Sequence, residues 1–234
     1  MFILGGLRLT DPPWVTIQGF FILMNRVGFL IDGFNLYHSV VRFHKDTHIC
    51  TKWLDIYSLC KSYISLFGRD AELASVYYFS ALPHYLSVTN PDKIDRHQKY
   101  LSCLRDSGII VELGRFKEKD VLCKKCGGTF LKHEEKETDV AIGVTLSRLL
   151  FKDECEIAVI MSGDTDLSAA VKRLQPMFLT KKILFAFPYA RKNKELSMLA
   201  LGSFSIGKKQ YIRYQFPNPV TLKDGTIINK PSTW

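Results

Sequence analysis

Val27-Gly28-Phe29-Leu30-Ile31-Asp32-Gly33-Phe34-Asn35 is the stretch that decides the fold. An uncharged apolar run stops abruptly at an acid, a glycine and an asparagine. A run of this length bounded by turn residues reads as a strand buried on both faces, and the turn releases the chain into a helix-like stretch. The pattern recurs. Val76–Phe79, Ile109–Leu113, Ile157–Met161 and Lys182–Phe187 read as further strands. Helical spacing fills the intervals at 53–67, 92–105, 138–150 with Thr138 as its cap, 164–174 and 193–201. This alternation predicts an α/β fold: a mostly parallel central sheet of about five strands with helices on both faces. In such sheets chemistry gathers at the carboxyl ends of the strands.

Acids stand at those ends. Asp32 follows the first strand, Asp164 and Asp166 follow the fourth, and Asp139 opens the helix that leads into the fourth. If the first and fourth strands are neighbours, these carboxylates converge and repel one another unless a cation neutralises them. Hard oxygen ligands select Mg²⁺ or Mn²⁺, which can activate water for phosphoryl chemistry. Asn35, one helical step beyond Asp32, is placed to orient water or phosphate. Taken one at a time, the same aspartates also suit helix N-caps.

Composition bounds the function classes. The chain has 234 residues, 47% hydrophobic and 24% charged, which suits one globular domain and excludes collagen-like, coiled-coil and largely disordered readings. The net charge of +9 is unevenly spread. From Val171 onward the chain carries twelve basic residues and two acids, so the rest of it is close to neutral. A basic final quarter points to a polyanionic partner, with a solvated face for solubility as the plain alternative. No apolar run is long enough to cross a bilayer, Phe20–Leu23 included. Scattered single cysteines and no secretory pattern favour a reducing cytoplasm. Residues 1–25 read as an extension, with Met24 as an internal start. Residues 26–201 read as the domain, with a hairpin-like insertion at 114–135, and 202–234 as a basic C-terminal segment.

Three stretches carry a family resemblance. Ile31-Asp32-Gly33-Phe34-Asn35-Leu36-Tyr37, Glu134-Glu135-Lys136-Glu137-Thr138-Asp139-Val140 and Val159-Ile160-Met161-Ser162-Gly163-Asp164-Thr165-Asp166-Leu167 resemble, in order, the three motifs of the NYN domain, a PIN-like nuclease family. The resemblance covers about residues 26–190. It implies a PIN-like sheet and metal-dependent ribonuclease activity, with Asp32, Asp139, Asp164 and Asp166 as metal-site carboxylates and Asn35 assisting. Many relatives carry a further Asp six residues past the position of Asp139, where this chain has Thr145.

Other features are less decisive. Cys123-Lys124-Lys125-Cys126-Gly127-Gly128, within the insertion, has the shape of a zinc knuckle, and His133 is a candidate third ligand of a structural Zn²⁺. Gly202–Lys209 mimics a phosphate-binding loop but has Lys209 where Ser or Thr is required, and Tyr211–Tyr214 reads as strand. His38 falls in no ligand spacing. Lys136, Lys172, Arg173, Arg191, Lys192, Lys208 and Lys209 are the candidate RNA contacts. The expectation is a cytoplasmic Mg²⁺- or Mn²⁺-dependent endoribonuclease with RNA as partner, no membrane, and a homodimer as an admissible state. A non-catalytic nucleic-acid-binding module and a phosphatase of small phosphoesters are the alternatives.

Overall fold

The computed structural model describes residues 25–234. The reading of residues 1–25 as an extension, with Met24 as a start, falls outside the described residues except for Asn25. Strands β1 (Arg26–Asp32), β2 (Glu72–Ala81), β3 (Ile110–Leu122), β4 (Thr129–Lys136), β5 (Ile157–Met161), β6 (Lys182–Phe187) and β7 (Gly202–Ser205) form one sheet. Their order is β4-β3-β2-β1-β5-β6-β7. All neighbours are parallel except β3 and β4. The sheet therefore has seven strands rather than about five.

Both faces are covered. Phe29 and Ile31 of β1 face helices α1 (Gly33–Thr47), α2 (Ile56–Ser62) and α3 (Pro91–Asp106), while Leu30 faces α4 (Thr138–Phe151) and α5 (Ser168–Leu174). Burial on both sides is why β1 reads as a continuous apolar run instead of an alternating one. A sixth helix, α6 (Lys194–Leu199), follows β6.

The structure departs from the sequence reading in three further places. The helix expected over 53–67 starts only at Ile56, because Asp55 caps it through the Ser58 N–H at 3.0 Å and Leu54 bridges to Gln215. Thr138 is the first residue of α4, not its cap; Glu137 holds the cap position at φ 82°, and the Thr138 hydroxyl donates to the Glu135 carboxylate. Tyr211–Tyr214 is not strand: a short helix, α7, spans Lys208–Arg213. Tertiary packing wins over strand propensity here. The Tyr211 ring is fully buried and stacked on Phe43, and its hydroxyl meets Ser39 Oγ and the Tyr189 N–H, each at 2.9 Å. Residues 202–234, read as a basic C-terminal segment, pack on the rest of the chain: β7 pairs with β6 and Phe216 packs on Trp53.

Tyr211→Phe leaves the Tyr189 N–H and Ser39 without their shared buried partner. It should cost about 1–3 kcal/mol in denaturant unfolding, with the C-terminal segment and the sheet melting together.

Candidate metal centre

The parallel pairing of β1 with β5 puts Ile31 opposite Met161, so the turns after both strands open side by side. Asp32 leaves β1 and caps α1: its Oδ1 accepts the Asn35 N–H at 2.9 Å. Its Oδ2 accepts the Ser162 hydroxyl at 2.8 Å. Ser162 Oγ also accepts the Asp164 N–H at 3.0 Å, and Asp164 Oδ1 accepts the Asp166 N–H at 3.1 Å. One hydroxyl thus ties the two strand-end turns together. The Asn35 side-chain oxygen accepts the Gly163 N–H at 3.1 Å, which leaves its amide NH₂ for other partners. Gly163 is required here, because a Cβ would collide with the Arg191 carbonyl.

Asp139, in the first turn of α4, completes the group. One carboxylate oxygen from each of Asp32, Asp139 and Asp164 lies within 4.8 Å of the others. Burial pushes the Asp32 carboxyl above its ordinary range, against the opposing pull of the Asn35 and Ser162 hydrogen bonds. Asp139 is pushed up to about 6, first by loss of hydration and then by the charges of Asp164, Asp32, Glu135 and Asp166. Such crowding of hard oxygen donors is the donor set of a divalent cation. The residues present fit one.

The sequence candidates divide. Asp32, Asp139 and Asp164 come together; Asn35 braces the floor; Asp166 is exposed beside the triad and outside it. Thr145 is buried at the edge of the apolar arc of α4, beside Leu149 and about 120° round the helix from Asp139. His133 is not brought to the cysteines. It pairs with Glu118 on the β3–β4 ribbon, four rungs and about 13 Å from the Leu122–Thr129 rung at the tip, and its ring stacks on Tyr85. At the tip, backbone N–H groups of Cys126 and Lys125 hold the Cys123 thiol below its ordinary range. Among the described residues, no third ligand joins that pair.

Of the basic candidates, Lys136 is paired with Glu134 at 3.1 Å and Lys172 with Glu195 at 3.3 Å. Lys208 lies over the Tyr189 ring at 5.2 Å. Arg173, Lys192 and Lys209 are exposed. Arg191 lies against the site, with its carbonyl beside Gly163. Burial and then the Arg191 charge hold the His38 imidazole below its ordinary value, while Asp32 acts in the opposite sense. Ser162, Glu135 and His38 are site residues that sequence reasoning misses. The available signals are their places inside or beside the acidic stretches and the three-residue spacing of Asp32, Asn35 and His38.

The model of the NYN domain matches residues 26–204, and the chain belongs to this PIN-like nuclease family. A crystal structure of a protein of unknown function, VPA0982 from Vibrio parahaemolyticus, shares the fold at 18% identity and a TM-score of 0.50. The match covers 79% of this chain and 94% of that one. No curated protein matches the chain. Among the described residues, no helix is long and apolar enough to cross a membrane.

A carboxyl whose folded pKa is raised favours folding when protonated, so that contribution is present below about pH 4 and is lost as pH rises through 6. In chelator, Asp139→Asn should therefore gain stability relative to wild type as pH rises from about 4 to about 7, read as the difference in Tm. Added Mn²⁺ should narrow the gap by stabilising the wild type more.

Proposed function

We propose that the protein is a Mg²⁺- or Mn²⁺-dependent endoribonuclease. The observation that carries this reading is the meeting of Asp32, Asp139 and Asp164 at the adjoining ends of β1 and β5. These three residues would hold the ion, whose chemistry is to lower the pKa of bound water and offset charge on the phosphodiester. Ser162 and the Asn35 N–H fix both oxygens of Asp32, so that donor is set in place before substrate arrives. The Asn35 NH₂ donates to a phosphate oxygen or to water at the floor. Asp166, at the outer edge, orients water. Arg191 supplies positive charge on the rim, and exposed Arg173, Lys192, Lys208 and Lys209 hold the flanking backbone, with affinity that falls as salt rises.

Labelled single-stranded RNA should be cut in Mn²⁺ and spared in chelator. Asp164→Asn should lose more activity than Ser162→Ala, which supports a ligand and should fall about 10–100-fold. RNA bound by wild type in Mn²⁺ and never cut would make the protein a binding module. Turnover of a small phosphoester without RNA cleavage would make it a phosphatase.

A further inference from the structure

Beside the triad, over the ends of β1 and β2, lies a cleft of about 540 Å³. That volume falls in the range of small-molecule sites. Gly33, the residue after Asp32, lines it, as does Glu135, which acts on Asp139. The cleft and the acidic centre therefore share a wall.

Its chemistry is layered. Phe34, Phe116 and Tyr85 form an aromatic wall: Phe116 meets Phe34 edge-on at 5.7 Å and Tyr85 at 5.2 Å. Tyr85 lies flat on His133, with ring centroids 3.7 Å apart. Deeper in, Tyr78, Ser80 and His97 offer polar groups, and Ser80 Oγ is 3.3 Å from His97 Nε2. Burial and Lys93 push His97 down to about 4, so this imidazole is neutral at about pH 7. The cations, Lys52, Lys93 and Arg96, are part-exposed or exposed.

Flat apolar walls, neutral hydrogen-bonding groups inside and cations outside match a nucleotide, with its base inserted and its phosphate left towards solvent. A phosphate inside would find no cation among Tyr78, Ser80 and His97. A duplex could not enter, because its bases are stacked and paired.

We propose that this cleft is a nucleobase subsite, which takes one unpaired base of an RNA strand whose backbone runs across the acidic triad. It rests on the ribonuclease reading and adds to it a grip on one base next to the scissile phosphate. The contact makes the strand's approach to the triad depend on an unstacked base.

The test uses the full chain carrying Asp164→Asn, in Mn²⁺, with a single-stranded RNA octamer containing one 2-aminopurine. Insertion should quench the fluorophore. Tyr85→Ala and Phe116→Ala should each remove the quenching and weaken binding at least about fivefold, while Tyr85→Phe retains both. An octamer abasic at that position should bind more weakly to the parent protein and equally to the Ala variants. Circular dichroism melts identify a variant that has failed to fold, and Tyr85→Phe and the abasic octamer then decide alone. Quenching that is absent, or unchanged in both Ala variants, overturns the subsite, as does equal binding of the abasic strand. Cleavage by wild type is measured separately. RNA cut without base-dependent binding keeps the nuclease and sinks the subsite; base-dependent binding without cleavage does the reverse.

Discussion

A carboxylate buried at the carboxyl end of the central strand is the constraint around which the molecule is arranged. Asp32 is only 4% exposed, and taking a charge out of water is costly unless hydrogen bonds replace the lost hydration. The Asn35 N–H and the Ser162 hydroxyl supply two of them, and each requires a neighbouring element in register. α1 must start directly after β1, and β5 must lie parallel beside β1 so that Ser162 reaches across. The crowding of Asp139 and Asp164 then follows from where α4 begins and where β5 ends. Functional geometry and sheet topology are here the same requirement.

Much of this is legible in the sequence because the strands are buried on both faces. Unbroken apolar runs such as Phe29–Ile31 and Ile157–Met161 leave little choice of element, and the acids at their ends are conspicuous against them. The weak points have a common cause. The β7 strand is four residues long, and Gly202–Ser205 has no apolar run to announce it; only pairing with β6 defines it. Residues 211–214 mix aromatic with branched or basic side chains as a strand would, yet Tyr211 is committed to a slot between α1 and Tyr189. Long-range partners, invisible in local periodicity, decide both.

The site divides in the same way. Asp32, Asp139 and Asp164 can be placed because strand ends concentrate chemistry. His133 cannot, because its distance along the chain from a cysteine carries no information about ribbon register. Seven residues after Cys126 looks near in the chain. On an antiparallel ribbon it is a step down the ladder, away from the tip and towards Tyr85. Ser162 is hidden for a different reason: a serine after a strand is ordinary, and its role appears only when its two partners are seen together.

The ribbon has a mechanical consequence. β3 is anchored to β2 only from Ile110 to Gly114, and from Arg115 onward its pairing is with β4 alone. A two-stranded ribbon is marginal by itself, while the β1–β2 side of the cleft belongs to the parallel body of the sheet. The cleft thus has one stiff jaw and one compliant jaw, and Phe116, His133 and Glu135 all ride on the compliant one. Bending this ribbon changes the width of the cleft and leaves Asp32, at the end of β1, in place with the parallel strands.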